Sequence, residues 1–188
     1  MRFSTNTFIE IPASRRGVAT TDRMDAVREA VQQDGVLGGL TVLNQGVAHR
    51  YSGIFRLDGE LLRNTHMFDK QGELRPEGLE TVVLSDSFCQ VVLRDGFLMV
   101  EHSGRDERLA TSPYQNVVVA YHGVPILDNA GELSGTLCHF DMVEQSISDA
   151  EFACMQEAAR LFAGPLAREA GQAREARDAQ ETGDAAIR

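Results

Sequence analysis

Apolar residues recur at helical spacing from the Thr21-Asp22 pair onward. Met24, Val27, Ala30 and Val31 form one set, and Val36, Leu40 and Leu43 a second. Thr21 or Asp22 caps the first set and Gly35 ends it, while Gly46 closes the second. Two helices are therefore predicted, one from Thr21 or Asp22 to Gly35 and one from Val36 to Gly46. The 20 residues before them are polar and mixed, with an Arg15-Arg16-Gly17 break. They read as an arm draped on the domain or on a partner.

Beyond Gly46 the period shortens. "RYSGIFRLDG" sets Tyr51, Gly53, Phe55 and Leu57 against polar or small neighbours, and "ELLRNTHMFD" follows the Asp58-Gly59 turn signal, so a hairpin of two antiparallel strands is expected. "KQGELRPEGLE" reads as a polar loop. In "SDSFCQVVLRDG", Ser87 and Gln90 have capping-box spacing, which puts Phe88 first and Cys89 second in a short helix that Asp95-Gly96 stops. "FLMVEH" reads as a strand and "GRDERLATSPYQN" as a loop with a short helical piece. "VVVAYHGVPILD" and "ELSGTLCHFDM" form a second hairpin across "NAG".

The chain ends helically. Ser148 and Glu151 form a capping box, Ile147 and Phe152 stand at staple positions, and Phe152, Met155, Ala159, Phe162 and Leu166 make one apolar stripe that Pro165 kinks or interrupts. From residue 168 to 188 the sequence is charged and Ala-rich, a solvated helix or a frayed tail. This order predicts an α+β fold for residues 21–167. Its antiparallel sheet has the terminal helices packed on one face and the short helix and loops on the other.

Composition narrows the function. The chain has 188 residues, 43% hydrophobic and 24% charged, which suits one globular domain. Eighteen Lys and Arg against 28 Asp and Glu give a net charge of −10, which argues against a direct nucleic-acid partner. No apolar run approaches the roughly 20 residues of a membrane span and the N-terminus lacks an apolar signal core, so a cytoplasmic protein without membrane attachment is expected. Three cysteines without CxxC spacing and five scattered histidines argue against a disulfide framework and a structural zinc site.

"SDSFCQVVLRDG", "YHGVPILDNAGELSGTLCHFD" and "ISDAEF", with "RYSGIFRLDG" upstream, together resemble the GAF domain family of small-molecule-sensing modules, over roughly residues 22–167. The resemblance implies a GAF/PAS-like sheet of five or six antiparallel strands, with helices behind and a pocket in front, roofed by the short helix and loops. It names no ligand and no cofactor. The cyclic-nucleotide constellation is missing, since Asn44 has no following Lys in "LNQG". The branch that reduces free methionine sulfoxide uses several pocket cysteines. Cys89 matches one, but "HSGRDERLATSPYQN", where the catalytic thiol would stand, has none. Bilin-attaching members carry a Cys-His pair on a helix, whereas Cys138-His139 lies in a strand run.

The expected function is a stand-alone sensory or regulatory module without catalytic activity. It would bind an unidentified small molecule and signal through its terminal helices to a separate partner, as a homodimer through its first and last helices. The alternatives are a thiol redox protein using Cys89, with or without Cys138, and a ligand-free dimerisation scaffold. Candidate ligand-binding residues are Tyr51, Phe55, Cys89, Arg105, Arg108, Tyr114, Tyr121 and His139. Aromatic rings with a few hydroxyls are the usual wall of a small-ligand site, although Phe55 and Tyr121 also suit ordinary core. Arg105 and Arg108 either meet an anion or pair with neighbours such as Asp106 and Glu107. A helix-start Cys89 is either an activated thiol or a small buried residue, and burial is the expected outcome. Cys138 and His139, adjacent on a strand, must point to opposite faces. His139 is then a pocket group or a partner for a carboxylate. Nothing else in the sequence asks for a haem on His139 or His122.

Overall fold

The computed structural model describes residues 18–73 and 78–185. Most of the expected N-terminal arm lies outside the described residues. Helix α1 (Val18–Asn44) already begins at Val18, earlier than the Thr21-Asp22 caps suggest. At Gly35, φ 70° and ψ −162° break the helical path, so α1 is two helices joined at the glycine that the sequence marks as a stop. That backbone region is open essentially to glycine alone. The two halves fold back on each other: a Cβ on Gly46 would meet the Arg23 guanidinium and the Glu151 carboxylate.

Six strands form one antiparallel sheet in the order β3-β2-β1-β6-β5-β4. They are β1 (Tyr51–Asp58), β2 (Leu61–Asp69), β3 (Thr81–Val83), β4 (Leu98–Val100), β5 (Ala120–Leu127) and β6 (Leu133–Asp141). The β1–β2 hairpin turns at Gly59 (φ 62°) and the β5–β6 hairpin at Gly131 (φ 80°), both glycines in the left-handed region. In the second turn Asp128 Oδ1 accepts from the backbone N–H of Ala130 at 2.8 Å and Glu132 at 2.9 Å. Strand β3 is the element missing from the sequence reading. Three residues at a sheet edge are too few to show an alternation.

Helix α2 (Cys89–Asp95) is stopped by Gly96 (φ 86°), whose N–H bonds the Val92 carbonyl. Its start differs from the expected capping box. Ser87 Oγ donates to the Leu84 carbonyl at 2.9 Å, and Gln90 Nε2 reaches the Ser85 carbonyl, so both side chains tie α2 to the preceding 3₁₀ turn. Helix α3 (Asp149–Ala185) carries half of its expected box: the Glu151 N–H donates to Ser148 Oγ at 3.2 Å, while the Glu151 carboxylate faces Arg23. Phe152, Met155, Ala159 and Phe162 are buried, Leu166 is half-buried, and residues 172–180 are exposed. Pro165 lies inside α3 without ending it. It only removes the N–H that would have bonded the Leu161 carbonyl.

Helices α1 and α3 pack on one face of the sheet, and α2 with the connecting turns packs on the other. Two glycine substitutions test this backbone reading by urea unfolding. Gly35→Ala should cost about 1–3 kcal/mol, because alanine must occupy a region reserved for glycine. Gly171→Ala, on an exposed helix with open space around it, should stabilise by about 0.5–1 kcal/mol.

Candidate functional site

On the α2 face, β1, β5 and β6 supply Phe55, Tyr121 and Phe140 to a cavity of about 40 Å³. Leu79, Val82, Ser87, Phe88, Cys89, Tyr114 and Val118 complete its wall. Gly123 makes the floor possible. A Cβ there would lie 2.6 Å from the Tyr121 ring, so the missing side chain lets that ring lie along its own strand. The Phe88 ring meets it edge-on, with centroids 5.5 Å apart.

Tyr121 Oη and Cys89 Sγ lie 3.2 Å apart, and Thr136 Oγ1 donates to the same sulfur at 3.2 Å. Cys138 Sγ donates to the Gly53 carbonyl at 3.6 Å. Cys89 is 4% exposed. Burial pushes its thiol above the ordinary range, against the opposing hydrogen bonds from Thr136 and Tyr121. Burial first, and the neighbouring Cys89 second, push Cys138 well up too. No disulfide joins the three cysteines. The short helix thus delivers Cys89 to the cavity wall as a protonated thiol.

Of the eight candidate residues, Phe55, Cys89, Tyr114 and Tyr121 line this cavity, and the structure places the other four elsewhere. Tyr51 stacks on Phe140 at 4.9 Å, with the Arg50 guanidinium 4.6 Å from its ring centroid. Arg105 pairs with Glu144 at 3.0 Å and Arg108 with Asp106 at 2.6 Å, both at the surface. Strand alternation puts His139 behind the sheet, because Phe140 and Cys138 on either side of it take the front.

Behind the sheet, His122 on β5, His139 on β6 and Ser52 on β1 stand directly opposite one another. His49, from the loop after α1, closes over them. His122 Nδ1 lies 2.9 Å from His49 Nε2, and His139 Nδ1 lies 2.5 Å from Ser52 Oγ. Asn44 Nδ2, in the last turn of α1, donates to Ser52 Oγ at 2.6 Å and to the His49 carbonyl at 3.2 Å. The three imidazoles are 0–1% exposed. Desolvation lowers His49 to about 4 and His122 to about 3, and it holds His139 well below its usual value. Asp141 opposes the shift at His49, and Lys70 reinforces it there and at His139. No cluster of His, Cys, Asp or Glu among the described residues could hold a metal ion. This polar layer escaped the sequence reading, since its histidines are scattered and come together only through the β5–β6 register and the loop after α1.

A second and larger space, about 700 Å³, lies between α3 from Ala163 to Arg174 and the strand ends near Ile54, Thr65, Ile126 and Ser134. Its wall mixes small residues of α3 with the charged or polar side chains of Arg56, His66, Asp128, Glu169 and Arg174. The front cavity is the better candidate site, because aromatic rings from three strands, the start of α2 and the loop before β5 converge on it beside a hydroxyl and a thiol.

The histidine layer sets a pH dependence. Each imidazole is neutral in the folded chain and takes a proton near pH 6.5 when unfolded, so the unfolded state gains protons as the pH falls. The stability present above pH 6.5 should fall towards pH 4, by about 1.4 kcal/mol per pH unit for each histidine. Urea unfolding from pH 7.5 to 4.5 checks this. His122→Gln should reduce the slope by about a third, the share of one proton in three. An equally steep slope in that variant would put the proton uptake on other groups.

No family model matches the chain, and no curated protein matches it by sequence. Solved structures do. The GAF domain of an Acinetobacter phosphoenolpyruvate-protein phosphotransferase aligns with TM-score 0.66 and 16% identity, over 82% of this chain and 96% of that one. The free methionine-R-sulfoxide reductase of Neisseria meningitidis, solved with its substrate, aligns with TM-score 0.63 and 14% identity, over 80% and 91%. The type II free methionine-R-sulfoxide reductase of Thermoplasma acidophilum aligns with TM-score 0.57 and 17% identity, over 74% and 94%. No helix among the described residues is long and apolar enough to cross a membrane. At these identities the likeness is one of fold, and the fold is that of a GAF domain.

Proposed function

We propose that this chain is a non-catalytic sensory or regulatory module that binds a small molecule in the front cavity and signals through α1 and α3 to a separate protein. The observation that carries the reading is the shared framework of cavity and helices. β5 and β6 place Tyr121 and Phe140 at the cavity and His122 and His139 beneath the helix layer. A ligand that favours one arrangement of Tyr121 and Phe140 acts on the strands that α3 packs against, and α3 packs in turn on α1, so its differential contacts bias both helices.

The other folded module of this kind, a thiol reductase, has two named structural neighbours in its favour. Against it stand the thiols themselves. Cys89 and Cys138 are both buried and both held protonated, whereas thiolate is the reactive form. The proposed module is cytoplasmic and homodimeric, through the exposed faces of its first and last helices.

Native mass spectrometry of the freshly purified protein tests binding and subunit number together. A co-purified small molecule and a two-subunit ion are the expected result, and a strict monomer at tens of micromolar by sedimentation would remove the dimer. Once a ligand is identified, replacing Tyr114 and Tyr121 by Ala should weaken it by more than about tenfold. Unchanged affinity would move the site elsewhere. Cys89 should be alkylated by iodoacetamide more slowly than free cysteine at pH 7, and a rate equal to free cysteine would restore the redox reading.

A further inference from the structure

The geometry points to a ligand class for the front cavity: a small uncharged, mainly apolar or aromatic molecule carrying at most one polar group. The inference rests on the proposed function in assigning binding to this cavity, and it goes further by naming what is bound. Three observations carry it. First, no charged side chain lines the cavity among the described residues. The two loop arginines that could have met an anion, Arg105 and Arg108, are spent on Glu144 and Asp106 at the surface. An ion entering here would lose its water and gain no counter-charge.

Second, the polar groups of the wall, Tyr114 apart, are already hydrogen-bonded within the fold. Ser87 Oγ donates to the Leu84 carbonyl, and the Tyr121 phenol and Thr136 hydroxyl are both engaged with the Cys89 thiol. Buried side-chain nitrogen and oxygen atoms without a partner do occur among the described residues, but none belongs to a residue of this wall. A ligand with several donors and acceptors would therefore leave its own groups unpaired, and such a site rejects it strongly. Of the lining hydroxyls, only that of Tyr114, on a half-buried rim residue, makes no hydrogen bond among the described residues, so it is the one group left to meet a polar atom when the rim turns.

Third, the space is small. About 40 Å³ holds roughly three water-sized groups, at about 10–15 Å³ for each. A six-membered ring needs half-buried rim side chains such as Leu79 and Tyr114 to turn.

The test uses the full chain, labelled with ¹⁵N, and two matched probe pairs: benzene against benzoate, and indole against indole-3-acetate. Amide shifts at the cavity residues should report benzene and indole binding at least about tenfold more tightly than their carboxylates. Tyr114→Phe should weaken indole and leave benzene unchanged. Gly123→Ala, which drives the Tyr121 ring into the cavity, should abolish both. The amide spectrum of Gly123→Ala should keep the dispersion of the parent protein, which separates loss of the cavity from loss of fold. Carboxylates that bind in the cavity as tightly as the neutral probes overturn the ligand class and leave the site standing. Neutral probes that shift only amides along residues 163–174 overturn the site and the reading beneath it. With protein refolded from urea to remove any co-purified molecule, no shift from either neutral probe at millimolar concentration and a folded spectrum overturns the class.

Discussion

Everything distinctive in this domain depends on the alternation of side chains along β5 and β6. Tyr121 and His122 are consecutive, as are Cys138 and His139. Because successive side chains leave a strand on opposite faces, two adjacent strands supply a phenol and a thiol to the front and two imidazoles to the back. The register fixes the rest, with His122 opposite His139 and Gly123 opposite Cys138. A slip of one residue would exchange the faces, setting imidazoles into the apolar cavity and a phenol under the helices. Both layers specify the same register, each by excluding the other's chemistry.

The back layer is an uncommon choice for a helix-to-sheet contact. Ile54, Leu137 and Val124 form an apolar row directly beside it, and another such row in place of Ser52, His139 and His122 would bury more hydrocarbon. The polar row instead ties the C-terminal turn of α1 to β1 through Asn44 and Ser52, with a direction that hydrocarbon contacts lack. His49 Nδ1 and Asn44 Oδ1 are buried there without a partner among the described residues. Unmatched groups make this contact cheaper to disturb than a fully paired one.

Much of the fold was legible in the residues. Gly35 and Gly96 mark helix ends with a backbone geometry that glycine alone takes easily, and Asp58-Gly59 and the "NAG" turn mark both hairpins. Their signals are local, so a single sequence carries them. The site was legible only in part, because its members are local in chemistry but non-local in position. Phe55, Cys89, Tyr114 and Tyr121 stand out as aromatic or thiol residues near the pocket elements, and they do meet there. Arg105 and Arg108 stand out equally, yet their carboxylate partners decide where they point, and Glu144 is 39 residues from Arg105. His49 lies 73 residues from His122, a contact made only when the loop after α1 closes over the sheet.

The thiol at the start of α2 shows how magnitudes settle what a motif leaves open. A helix N-terminus stabilises a thiolate by about 0.3–1 kcal/mol at an exposed site, which alone would lower the pKa by less than one unit. Helix α2 has seven residues, and Cys89 is its first. Desolvation works in the opposite sense and can exceed three units for a fully buried group. At Cys89 the opposing hydrogen bonds from Thr136 and Tyr121 reduce that penalty without reversing it. Tyr121 cannot supply a compensating charge, since burial raises its own pKa well above the usual value, and Cys138 beside it is held neutral for the same reason. The three groups therefore stabilise one another as neutral donors and acceptors. That neutrality makes the floor of the cavity a surface for hydrocarbon, where the same side chains exposed to water would make a reactive centre.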